Sequence, residues 1–268
     1  MRTANGCEAQ RGVEGFRSEM MKIVLVGACG KMGRQIAEIA GGNITCGIDI
    51  AHSPLAFPVY DSLDKVSEKA DVLIDFSAVN GIFERLVWCK KNHIPAVLAA
   101  TGYSENDLQA VEECSRSVPV FKTGNFSLGI ALMEYVAQKS AAFLGEEFDA
   151  EIIEKHHNQK KDAPSGTALM LAESVNKGYE SNKRNVYGRQ GVTGARQKEE
   201  IGIHAVRGGT IVGEHEVMFA GDDEIFTISH SARSRKIFAK GALRAAEWLI
   251  SQPAGLYNMQ DLLAELLK

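Results

Sequence analysis

KIVLVGACGKMGRQIAEIA, residues 22–40, is the stretch on which the fold of this chain turns. Residues 22–26 form a β-branched apolar run of the kind that builds a parallel strand buried on both faces. The run passes directly into Gly27-Ala28-Cys29-Gly30-Lys31-Met32-Gly33, and residues 34–40 continue with helical spacing. Strand, glycine turn and helix in this order make a phosphate-binding turn. Glycines let the backbone approach a pyrophosphate, and the helix start offers N–H groups without acceptors. The spacing here is G-x-x-G-x-x-G, with Ala28 where G-x-G-x-x-G places its first glycine.

Working outward, residues 44–48 read as a second strand. Asp49 ends it at the distance where a dinucleotide fold sets an acid against the adenosine ribose. Ile50 follows, not an arginine able to clamp a 2′-phosphate, which favours NADH over NADPH. Lys31 and His52 are the cations that weigh the other way. Helix-like stretches at 62–70, 81–92 and 105–115 alternate with strand-like stretches at 72–77, 94–99 and 118–121. This alternation predicts an α/β, doubly wound parallel sheet of Rossmann type. Strand ends carry Gly27, Ser77, Thr101 and Asn125, so one sheet edge is lined with small and polar groups.

After a helix over 130–143 the pattern changes. Strand-like stretches at 150–154, 201–207, 210–219 and 224–231 have few helices between them, as in an α+β domain with a mixed sheet. Helices over 237–250 and 259–267 are placed to pack back on the first unit. The expected division is 21–126 with 237–268 for the dinucleotide, and 127–236 for substrate binding and oligomerisation. Residues 1–20 are polar, lack the apolar segment of a signal peptide and read as a disordered extension ahead of Met20-Met21.

Composition narrows the function. The 268 residues are 45% hydrophobic and 24% charged, ordinary values for a globular protein. A net charge of −4 argues against nucleic acid as a partner. No apolar run reaches membrane-spanning length. Cys7, Cys29, Cys46, Cys89 and Cys114 are scattered, without a metal-ligand or disulfide pattern, as expected for a cytoplasmic protein that holds no metal.

The chemistry concentrates in EIIEKHHNQKKDAPSGT, residues 151–167. A strand delivers His156 and His157 into a loop with Lys160, Lys161 and Asp162, and Pro164-Ser165 opens a helix over 168–175. Ser165, Gly166 and Thr167 at a helix start suit a carboxylate or phosphate. The lysine adds a point charge and a proton, and the histidine an acid/base near neutrality.

His156-His157-x-x-Lys160-x-Asp162-x-Pro164-Ser165-Gly166-Thr167-Ala168 resembles the signature of the 4-hydroxy-tetrahydrodipicolinate (dihydrodipicolinate) reductase family. The likeness extends to Val26-Gly27-x-x-Gly30-Lys31-Met32-Gly33-Arg34, to Asn125-Phe126-Ser127, to Arg207-Gly208-Gly209-x-x-Val212-Gly213-x-His215 and to His230-x-Ala232-x-Ser234-Arg235. The resemblance implies a cytoplasmic homotetramer of lysine and diaminopimelate synthesis, using NADH or NADPH on a small cyclic dicarboxylate. It implies His156 as general acid/base, Lys160 as proton donor, and His157 with Gly166 and Thr167 on the substrate carboxylates. Gly27, Ala28, Cys29, Gly30, Lys31, Met32, Asp49, Ala99, Ala100, Thr101, Thr123, Gly124, Asn125 and Phe126 would line the cofactor. One departure stands out: Ala99-Ala100-Thr101 replaces the family's frequent Gly-Thr-Thr and removes a hydroxyl. Two other classes fit the residues less well. A semialdehyde dehydrogenase needs an acylatable cysteine, and none follows Cys114; a non-catalytic NADH-binding regulator has no use for the His/Lys cluster.

Overall fold

The computed structural model describes residues 21–51, 53–179 and 182–267. The expectations for residues 1–20 and for His52 lie outside the described residues. The chain runs through β1 (Ile23–Val26), α1 (Lys31–Ala40), β2 (Ile44–Ile48), β3 (Val59–Tyr60), β4 (Val72–Asp75), α2 (Ile82–Asn92), β5 (Ala96–Leu98), α3 (Glu105–Ser115) and β6 (Pro119–Lys122). It crosses through α4 (Leu128–Leu144) into β7 (Asp149–His156), α5 (Gly166–Gly178), β8 (Arg184–Tyr187), β9 (Glu200–Arg207), β10 (Glu214–Ala220) and β11 (Ile225–Ser231). It returns through α6 (Lys236–Leu249), β12 (Gly255–Tyr257) and α7 (Met259–Leu266).

One sheet has the order β12-β6-β5-β4-β1-β2-β3, and all its pairings are parallel. The order reverses between β1 and β4, which is where such sheets open a ligand crevice. The alternation along β1 explains the two layers of helices. Ile23 and Leu25 pack with α1, α6 and α7, while Val24 and Val26 pack with α2 and α3. The second sheet, β11-β10-β7-β9-β8, is mixed: β10 runs antiparallel to β7 and β11, and β9 runs parallel to β7 and β8. Ala150, Ile152, Val217 and Phe219 on one face pack against Ala137, Leu171 and Val175 of α4 and α5. The α/β and α+β architecture expected from the sequence is the one observed.

Glycines set the closest approaches. Gly27 turns the chain with φ +78°, and a Cβ there would lie 3.0 Å from the Phe76 and Ser77 backbone. A Cβ on Gly33, inside α1, would collide with the Gly27 carbonyl. Ala28 is fully buried, and its methyl would lie 2.6 Å from a Cβ on Gly47, so the missing motif glycine is matched by one on β2.

Two expectations fail locally. Residues 62–70 make only a single 3-10 turn at Leu63–Lys65. Ser62 accepts a hydrogen bond from Asp64 N–H, Tyr60 donates to Glu68, and Leu63 alone is buried. Local side-chain bonds here outweigh a helix with no apolar face. The strand expected over 210–219 starts only at Glu214, because its partner β7 ends at His156 and Gly209 turns the chain with φ +48°. β3, β8 and β12 are short strands that the sequence pattern does not reveal.

Candidate active site

On the nucleotide side, Gly27 N–H donates to Ile48 O at 2.8 Å, tying the turn to β2. Gly30 caps α1 with no side-chain hydrogen bond, and the first turn of the helix carries no acid. The exposed Lys31 adds positive charge to a helix start suited to a pyrophosphate. Asp49 reaches back to the turn: Oδ2 accepts from Cys29 N–H at 2.8 Å and Oδ1 from Ala51 N–H at 2.9 Å. Ala99 and Ala100 are at least partly buried beside β4, where Ala99 N–H donates to Asp75 O at 2.9 Å, and Thr101 is exposed. Burial pushes the Asp75 carboxyl up, against Arg85, whose Nε lies 2.8 Å from it. Arg85 Nη2 donates to the carbonyls of Ala78, Val79 and Asn80 and so holds the loop after β4.

The loop after β6 joins the two halves of the molecule. Thr123 Oγ1 and the Asn125 backbone are mutually hydrogen-bonded, and Asn125 Oδ1 accepts from Ser127 N–H at 2.8 Å. Asn125 Nδ2 donates to Thr167 Oγ1 at 2.9 Å. Gly124 is exposed, while Phe126 is buried with its ring between Phe76 and Phe121.

On the other side, β7 ends at His156. Its Nδ1 lies 2.6 Å from Glu154 Oε2. Glu154 is fully buried; Arg207 donates to both its oxygens at 2.8 and 2.7 Å, and Ser165 N–H donates to Oε1 at 3.0 Å. Burial alone would raise this carboxyl, but Arg207, His156 and Ser165 outweigh it and hold it below its ordinary range. An ionised carboxylate only accepts, so the hydrogen of His156 sits on Nδ1. Burial lowers His156 more than Glu154 raises it, with Lys160 and Arg207 lowering it further. Lys160 Nζ pairs with Asp162 Oδ1 at 2.9 Å, and His157 lies partly exposed beside it.

Ser165 is the N-cap of α5, and its Oγ accepts from Ala168 N–H. Its Oγ also lies 3.2 Å from His215 Nε2. Expected among the carboxylate ligands, Ser165 has both polar groups engaged within the protein. The outer N–H groups of Gly166 and Thr167 have no acceptor inside the helix. His215, not singled out from the sequence, stacks edge-on to His156 at 5.2 Å and is driven to about 4, chiefly by burial. A cavity of about 40 Å³ lies among Asn125, His156, Thr167, Gly213, His215 and His230. Among the described residues, no hydrogen bond or ion pair links the glycine turn or Ala99–Thr101 to the His156–Lys160 cluster; the loop after β6 reaches the substrate side through Asn125 to Thr167 and through Ser127 Oγ, 3.4 Å from His230 Nε2. Glu154 could have been found from period-two alternation, which puts it on the same strand face as His156, whereas Arg207 stands in one of the family-like stretches but its place beside Glu154 comes from strand pairing.

Family models described as dihydrodipicolinate reductase, N-terminus and C-terminus, match residues 21–126 and 129–263. The chain belongs to the dihydrodipicolinate reductase family. The 4-hydroxy-tetrahydrodipicolinate reductase of Caldanaerobacter subterraneus subsp. tengcongensis is 50% identical over 247 residues, 91% of this chain and 98% of that protein. The enzyme of that name from Clostridium novyi is 44% identical over 249 residues, 91% of this chain and 98% of that protein. Dipicolinate-bound dihydrodipicolinate reductase from Paenisporosarcina sp. TG-14 superposes with a TM-score of 0.77 at 26% identity, covering 91% of this chain and 99% of that one. A probable dehydrogenase from Thermotoga maritima, at 12% identity and a TM-score of 0.60, shares the fold. As a member of the reductase family the chain is an oxidoreductase, and its uncapped glycine turn fits a nicotinamide dinucleotide. No helix among the described residues is long and apolar enough to cross a membrane.

Proposed function

We infer that this protein reduces 4-hydroxy-tetrahydrodipicolinate to tetrahydrodipicolinate in lysine and diaminopimelate biosynthesis. The observation that carries the reading is the joint at Asn125, whose bond to Thr167 sets the anion-binding start of α5 against the loop that closes the nucleotide crevice. The conversion takes up one hydride and one proton and releases the 4-hydroxyl group as water; nicotinamide, when bound, supplies the hydride. Gly27 to Met32 would receive the pyrophosphate, Asp49 the ribose, and Ala99–Thr101 and Thr123–Phe126 the nicotinamide end. The N–H groups of Gly166 and Thr167, with His157, hold the substrate carboxylates, and Ser165 shapes that cradle as its cap. His156, neutral with its hydrogen on Nδ1, offers Nε2 as acid/base, and Lys160 Nζ donates the proton the reduced ring requires.

NADH is the favoured cofactor, because Asp49 is followed by the exposed Ile50 and not by an arginine. Residues 21–126 with 237–268 form the cofactor unit, and 127–236 the substrate and assembly unit. The described cysteines are free thiols, in keeping with a cytoplasmic protein. A homotetramer is supported by the family likeness and by the face of the mixed sheet that no helix among the described residues covers. The test is NADH or NADPH oxidation by the purified chain with freshly prepared substrate. Dinucleotide binding without oxidation of either cofactor sinks the reading.

A further inference from the structure

Glu154 makes four hydrogen bonds, and together they fill the acceptor sites of a carboxylate. Oε2 takes His156 Nδ1–H at 2.6 Å and Arg207 Nη1 at 2.8 Å; Oε1 takes Arg207 Nη2 at 2.7 Å and Ser165 N–H at 3.0 Å. Nothing on this side chain is left for substrate, so any part it has in the reaction is exerted through its partners. Those partners are the three working parts of the site: the His156 ring, the residue that caps the Gly166–Thr167 cradle, and an arginine. Arg207 Nη2 also donates to Asp162 O at 2.7 Å, and Asp162 Oδ1 is the ion partner of Lys160.

We propose that Glu154 and Arg207 are positioning residues: the pair selects the His156 tautomer that frees Nε2, and it locks the ring, the start of α5 and the Lys160–Asp162 loop into one unit. The proposal rests on the reading of His156 as acid/base and Lys160 as proton donor. An ion pair that served stability alone would be complete with Arg207 bound through both nitrogens. The additional bonds to His156 and Ser165 serve geometry.

The groups around His156 are Glu154 on its own strand, Lys160 on the following loop, Arg207 on β9, His215 on β10, His230 on β11 across the shared cavity and the uncharged Ser165 capping α5, with Asp162 behind Lys160. Of the charged groups that act on the ring, Glu154 alone favours its protonated form, whereas Lys160 and Arg207 oppose it. Glu154→Gln therefore lowers the proton affinity of His156 and admits the other tautomer, because an amide can donate to Nδ1 as well as accept from it.

The experiment combines nitrogen-15 NMR of histidine-labelled protein with pH profiles of kcat/KM. His156 is assigned by its loss in His156→Asn. Wild type is expected to show His156 with hydrogen on Nδ1. Glu154→Gln is expected to lose that tautomer, to turn over about 10²-fold more slowly at unchanged NADH affinity, and to shift its acid limb to lower pH. Arg207→Lys, which keeps the charge but not the fork, is expected to lower kcat with the tautomer intact, and it serves if Glu154→Gln does not fold. Hydrogen on Nε2 in wild type overturns the proposal, as does Glu154→Gln with wild-type tautomer and acid limb and only a lower melting point. Wild-type turnover in Arg207→Lys removes the loop-tying role. The tautomer is read on the protein alone, so failure to reduce the substrate sinks the functional reading without deciding this one.

Discussion

His156 and Lys160 are four residues apart, yet the structure gives them different settings. The histidine is buried against Glu154, and the lysine keeps a carboxylate at the surface as its partner. The lowered His156 makes the neutral ring the form present at neutral pH. The acid limb of kcat/KM is thus expected below the ordinary histidine value of about 6.5, with activity lost as pH falls through it. A limb above that value contradicts a neutral acid/base. Lys160→Ala is expected to cut kcat about 10²-fold while calorimetry shows unchanged NADH affinity. Unimpaired turnover would take the proton-donor role from Lys160. These two residues were legible because they are neighbours in sequence at a helix start. Arg207 reaches the site through strand pairing, opposite His156 in the parallel β7–β9 register, a relation that exists only after folding.

At the scale of elements, β7 divides its work by alternation. Glu154 and His156 point toward the site, and Glu151 points to the opposite face. There Glu151 accepts from Arg189 at 3.0 and 2.9 Å, from Arg196 Nε at 2.9 Å and lies 2.7 Å from His204 Nε2. Burial would raise its carboxyl, but Arg189, His204 and Arg196 bring it down from 4.5 to about 2. A carboxyl lowered on folding stabilises above its unfolded value and loses that contribution as pH falls through its folded one. Thermal stability is expected to fall between about 4.5 and about 2, and Glu151→Gln to flatten that segment of the pH–melting curve. At neutral pH the same variant leaves two arginines short of an acceptor and costs about 3 kcal/mol, measurable by urea unfolding. An unchanged curve would mean that the loop carrying Arg189 and Arg196 is held by other contacts. Buried strands such as β1 and β7 were legible because both faces or alternate positions are apolar. β3 and β12, at two and three residues, are strands by virtue of the edge they pair with, so their own residues carry no signal.

For the whole molecule the decisive contact is the return of α6. A Cβ on Gly241 would collide with the Phe126 carbonyl, beside the Asn125 that joins cofactor loop and substrate cradle. The last helices thus brace the active-site joint as well as the parallel sheet. Among the described residues, helices pack on one face of the mixed sheet only, through α4 and α5. Its other face carries Ile153 among the polar Lys155, Glu214, Glu216 and Ser229 around a cavity of about 260 Å³, with Ile225 65% exposed at the edge. Ile153, Met218 and Ile225 on that face are the apolar side chains that the proposed tetramer would bury. The full-length protein is expected to sediment at roughly four times 29.1 kDa. Ile153→Asp combined with Met218→Asp, both on that face, is expected to yield smaller species with wild-type circular dichroism. A wild type that sediments as a monomer ends the tetramer proposal. A variant that remains tetrameric moves the interface elsewhere, because two carboxylates buried without partners at the centre of an interface would each cost several kcal/mol.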